Sequence, residues 1–153
     1  MSPTGRRASL LALFAALAGV GCGAGATTPD MPALVFPGPP ALTVPSASGA
    51  LGVAVWWSPA QPTVGYDAAQ LAITDATGAP VTGLTLTIVP WMAAHGHGSS
   101  VEPAVSETAP GVYVATPLDF FMSGHWELMS AISRPAGSAE AIDDSAEPTV
   151  DVP

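Results

Sequence analysis

Residues 51–88 read LGVAVWWSPAQPTVGYDAAQLAITDATGAPVTGLTLTI, and this stretch decides the fold. Leu51, Val53, Val55 and Trp57 occupy alternate positions, as do Leu71 and Ile73 and then Leu84, Leu86 and Ile88, with Thr85 and Thr87 facing the other way. An apolar period of two belongs to strands buried on one face, because successive side chains of a strand point to opposite sides. The runs are separated by turn chemistry: Ser58-Pro59 and a Pro/Gly loop through Asp67, then Asp75-Ala76-Thr77-Gly78-Ala79-Pro80. No segment sustains a 3.6-residue apolar period.

Downstream the pattern continues through Val101–Glu107, the turn Ala109-Pro110-Gly111, and a strand in which Val112 and Val114 flank Tyr113. His125–Ser133 offers Trp126, Leu128 and Ile132 for burial, and a last run, Glu147–Val152, is confined to an edge by Pro148. The acidic stretch Glu140–Glu147 reads as a solvated connection. Seven or eight short strands with regular turns predict an all-β antiparallel sandwich. Composition agrees: 17 prolines and 16 glycines work against long helices, while 48% hydrophobic against 10% charged residues is enough for a packed core.

Upstream, residues 1–22 (MSPTGRRASLLALFAALAGVGC) carry a basic start, an apolar run from Leu10 to Val20 and a small-residue end, the order of a secretory signal. The run is about half of the ~20 residues that a membrane span needs. Leu17-Ala18-Gly19-Val20-Gly21-Cys22 resembles a bacterial lipobox, which makes Cys22 the expected lipidation site; cleavage after Ala24-Gly25-Ala26 is the alternative. Cys22 is the single cysteine, so the domain holds no disulfide under either cut. Residues 23–40 are small, Pro-rich and aperiodic and read as a tether, leaving 41–153 for the sandwich. The protein is expected to be exported and held in the cell envelope or periplasm by its lipid.

Of 153 residues, 12 are acidic and 3 basic, a formal net charge of −9; two of the three are Arg6 and Arg7 in the signal, which leaves Arg134. Nucleic acid is excluded as a partner, because neutralising phosphates takes Lys and Arg in number. No Gly-rich loop leads to a lysine, which excludes a phosphate-gripping loop. Catalysis is not expected either. The cysteine lies outside the domain, no Gly-x-Ser-x-Gly elbow occurs, and no carboxylate pair is identifiable.

All three histidines lie in two segments that also hold methionines: Pro90–Ser100 (PWMAAHGHGSS) and Phe120–Met129 (FFMSGHWELM). In extended backbone His95 and His97 project to one side, and the intervening glycine lets the chain bend so that both rings converge. Imidazole suits copper, zinc and nickel, and thioether sulfur adds a preference for Cu(I). A site drawing on His95 and His97, with Met92, His125 or Met122, leans to copper ahead of zinc, although the three histidines alone could equally hold zinc. Equally open is a loop with no metal, in which the methionines fill the core and the domain is a non-catalytic module that docks a protein partner. An imidazole must be neutral to bind a metal, so acid should release the ion.

With these segments in view, residues 51–128 resemble the YtkA-like domain family of exported bacterial proteins, itself similar to the FixH-like group. The resemblance rests on Asp75–Gly83 (DATGAPVTG), Pro90–Ser100, Pro110-Gly111-Val112-Tyr113 and Phe121–Leu128 (FMSGHWEL). The family's signatures commonly run Trp-Met-Pro-x-His-Gly-His-Gly and Met-Pro-Gly-x-Trp, so Ala93 and Ser123 stand where prolines are usual. His125 falls at a variable position, and Met92, His95 and His97 are the residues carried over. The resemblance implies an immunoglobulin-like sandwich, often lipid-anchored, without enzymatic activity. Likeness to the FixH-like group implies partners in oxidase assembly or copper trafficking.

Overall fold

The computed structural model describes residues 33–137 and 139–153. Its ten strands are β1 (Leu42–Pro45), β2 (Leu51–Ser58), β3 (Gly65–Asp75), β4 (Thr85–Met92), β5 (His97–Gly98), β6 (Ala104–Ala109), β7 (Val112–Phe120), β8 (Gly124–Arg134), β9 (Ile142–Ala146) and β10 (Thr149–Val152). Among the described residues there is no helix. One antiparallel sheet has the order β1-β2-β3-β7-β6; the other runs β10-β8-β4-β5, with β9 also pairing β8. The two sheets close on one core as a β-sandwich. Val53, Val55, Leu71, Ile73 and Tyr113 come from the first, and Leu86, Ile88, Trp126, Leu128 and Ile132 from the second. These are the alternating positions of the sequence, now facing inward because burial of one face is what stabilises a strand of this pattern.

The strand count is ten rather than seven or eight, since β1, β5 and β9 were not expected. Residues 142–146, within the supposed acidic connection, form β9, in register with β8 from Ser130↔Ala146 to Arg134↔Ile142. Ala146 is buried and Ile142 packs against the core; Asp143 faces outward, while Asp144, on the inward face in register with Ile132, is held by Ser48. Likewise β3 begins at Gly65, inside the segment read as loop. An inward carboxylate, Asp67, and a register irregularity between Asp67 and Ala69 interrupt its apolar alternation. β10 is an edge strand, as Pro148 required, and pairs β8 alone. Contacts of the domain reach back into the supposed tether: the Val35 N–H donates to Ser58 Oγ at 3.0 Å, and Trp56 Nε1 donates to the Gly38 carbonyl at 3.0 Å.

Register fixes the two ends of the sandwich. Ser58, Gly65, Met92, Phe120, Gly124 and Val152 terminate their strands at one end, here the histidine pole; Leu51, Asp75, Thr85, Val112 and Arg134 lie at the far end.

Candidate functional site

The histidine pair belongs to a hairpin at the margin of the second sheet. β4 and β5 pair through Trp91↔Gly98 and Met92↔His97. Between them residues 93–96 form a single tight turn: His95 N–H donates to the Met92 carbonyl at 3.1 Å, and Gly96 N–H reaches the same oxygen at 3.0 Å and Ala93 O at 3.2 Å. Gly96 closes the turn at φ +67, a left-handed conformation that glycine adopts without a Cβ penalty. Gly98 is required for a different reason, since a Cβ there would lie 2.7 Å from the Pro90 carbonyl oxygen and 3.0 Å from the Trp91 ring.

This turn, and not strand alternation, brings the two imidazoles together. Their ring centroids are 5.6 Å apart at an interplanar angle of 42°, and both side chains are exposed. The β7–β8 turn contributes the other wall. Phe121 lies 5.5 Å from the His97 ring and 5.1 Å, edge to face, from Trp126. Trp126 in turn is fully buried and donates its indole N–H to the Met122 carbonyl at 3.0 Å. The two segments singled out in the sequence therefore meet, through Phe121 rather than through a third histidine.

His125 is placed elsewhere. It neighbours the inward Trp126 on β8 and so points to the outer face, opposite Asp151 in register, with its Nδ1 2.7 Å from Asp151 Oδ1. Met92 is 1% exposed and packs in the core, where the missing Cβ of Gly124 leaves space for its methyl group, 2.9 Å from where that Cβ would stand. Met122 is half-buried against the core. Met129, an expected core filler, is instead exposed on the outer face opposite Val89. Among the described residues no three or more His, Cys, Asp or Glu side chains converge as a metal site would require. Cys22 lies outside the described residues.

Two carboxyls near the pole feel burial. Asp67 is 1% exposed, and burial pushes its pKa up to about 6 although the Thr63 N–H, 3.0 Å from Oδ2, favours the ionised form. Asp119, in register with Tyr66, is raised by burial as well. Neither Phe121 nor Asp151 was singled out by sequence as a partner of a histidine. An aromatic preceding the Met-Ser-Gly turn was the only available hint of the first, and the second is a matter of register alone.

An all-β sandwich with an exposed histidine pair on a glycine-closed hairpin is thereby defined. The chain belongs to the YtkA-like family, whose family model matches residues 50–131, from the start of β2 into β8 and across both signature segments. Searches of curated proteins and of solved structures give no match.

Proposed function

We propose that this is an exported cell-envelope protein, anchored by a lipid at Cys22, that binds copper through His95 and His97 and buffers or delivers it. The observation carrying the reading is the 5.6 Å approach of two exposed imidazoles on one tight turn. The donor chemistry fits copper better than zinc. Structural zinc sites take four nitrogen or sulfur ligands, whereas Cu(I) tolerates as few as two, and imidazole suits copper. His95 and His97 hold the ion. Met92, opposite His97 in register, is the nearest thioether by sequence, but its burial makes it a support for the hairpin unless the hairpin opens. His125 is turned toward Asp151, and Met122 is half-buried against the core.

A site with two protein donors leaves positions open for a recipient, which suits transfer. Likeness to the FixH-like group suggests that the recipient is an oxidase-assembly or copper-trafficking component of the envelope. The test is a competition titration of the protein with Cu(I) under reducing conditions, then Cu(II) and zinc, beside the His95→Ala/His97→Ala variant. Stoichiometric copper binding that drops by more than about 100-fold in the variant is expected, since losing the ligands themselves must cost more than the roughly 10–100-fold of losing their outer hydrogen-bond partners. Weak binding indifferent to the substitutions overturns the proposal in favour of a module that docks a protein partner without metal.

A further inference from the structure

The exposed large apolar side chains are not spread evenly. Of the seven among the described residues, Val89 and Met129 form a pair on the outer face of the second sheet; the other five, Leu34, Val35, Val64, Tyr66 and Phe121, gather at the histidine pole. Two of those five belong to the incoming N-terminal segment. Val35 is tied to Ser58 at the end of β2, so the chain enters the domain at the end that carries His95 and His97.

That entry point restricts how an anchored domain can stand. From Cys22 to Ala33 is 11 residues, which span at most about 40 Å even when fully extended. The 11 residues of β3 make the sandwich about 36 Å long. With the pole toward the bilayer, the connection can take up any of its shorter spans. With the far end toward the bilayer, the pole is held about 36 Å away and the connection must stretch to nearly its full covalent length, which costs almost all of its conformational freedom.

We infer that the histidine pole faces the membrane that holds the anchor, and that its exposed apolar side chains rest against the lipid headgroup region. This rests on the anchoring half of the proposed function and not on copper. Leu34, Val35, Val64 and Phe121 supply apolar contact, and Tyr66 has the ring-and-hydroxyl character suited to an interface. The docking is apolar and not electrostatic, because the only lysine or arginine among the described residues, Arg134, is at the far end. Copper bound at the pair is thus presented at the bilayer surface, where a membrane-embedded recipient can reach it.

The test uses the full lipidated chain on phosphatidylcholine vesicles that carry a headgroup acceptor dye. Lipidation occupies Cys22, so a cysteine introduced by Ser123→Cys at the pole or by Ala76→Cys at the far end is the single site for a donor dye; both positions are exposed. Energy transfer to the lipid is expected to be several-fold greater from position 123 than from position 76, and the difference should persist when His95→Ala and His97→Ala are added. Equal transfer from both positions, or more from position 76, overturns the orientation. A chain that washes off the vesicles overturns the anchoring together with the orientation, while leaving copper binding to be judged by its own titration.

Discussion

The two ends of the sandwich use their carboxylates in opposite ways. At the far end, acidic side chains tie loops to one another. Asp75 accepts the N–H groups of Thr77 at 2.8 Å and Ala79 at 3.0 Å; Glu107 bridges Gly111 at 2.9 Å and Gly83 at 3.0 Å. The Thr77 hydroxyl and amide hold Asp75 below the ordinary carboxylate range, and the Gly111 and Gly83 amides do the same for Glu107. For Asp144, burial works upward, but the hydroxyls of Ser46 and Ser48 and the amides of Ser145 and Ser48 outweigh it and bring the pKa to about 2. Tyr113 adds a further tie, accepting from Leu84 N–H and donating to the Val81 carbonyl at 2.9 Å. Toward the histidine pole the buried Asp67 and Asp119 are raised instead, and rings and aliphatic side chains are exposed there. Carboxylates at the far end each gather several donors, whereas the pole, where Asp67 takes the Thr63 amide, also leaves apolar side chains exposed for contact. That asymmetry is what a domain needs when it works from one end.

The contrast can be broken most severely at the far end. Gly111 sits at φ +71, and a Cβ there would fall 2.7 Å from Pro80 Cβ and 3.0 Å from the Ile73 carbonyl oxygen. Gly111→Ala is expected to cost about 3 kcal/mol in urea unfolding, from the strained backbone and the clash together. A cost below about 1 kcal/mol would show that the far end yields and is not the rigid half.

An intermediate effect separates the ends by pH. The folded state raises Asp67 from 3.8 to about 6, so it keeps that proton longer than the unfolded chain does. Its ionisation therefore weakens the fold as pH climbs from about 4 through 6. Asp144, lowered from 3.8 to about 2, contributes stability above pH 4 that is lost as pH falls toward 2. Asp67→Asn should raise stability at pH 7.5 by about 1–2 kcal/mol and change little at pH 4, with the Thr63 amide still satisfied. Denaturant unfolding across this range reads the sign directly, and an Asn variant less stable at pH 7.5 than the parent would contradict the burial of an ionised carboxyl.

The smallest effect on stability should come from the pole itself. His95→Ala with His97→Ala removes two exposed rings and is expected to move the unfolding free energy by less than about 0.5 kcal/mol. A larger loss would mean that the pair, with Phe121, fastens the hairpin and that the pole is structural after all.

The sandwich was legible in Leu51–Trp57 and Leu84–Ile88 because one buried face writes itself into alternate residues. β9 was hidden: Ile142-Asp143-Asp144-Ser145-Ala146 is an edge strand held by its ladder to β8, with little apolar content to announce it. The first half of β3 was masked by Asp67, a carboxylate in an inward position. At the site, Gly96 made the convergence of His95 and His97 readable. The approach of Phe121 and the departure of His125 toward Asp151 depend on strand order and register, which local patterns do not specify.

The rings at the pole also form a path for optical signals. His97 touches Phe121, Phe121 touches Trp126, and Trp126 lies 5.5 Å from Phe120. An indole emitter is thus placed two ring contacts from the proposed ligand pair, so paramagnetic Cu(II) arriving there, unlike closed-shell Cu(I), should dim intrinsic fluorescence, and the protein would report its Cu(II) occupancy without a dye.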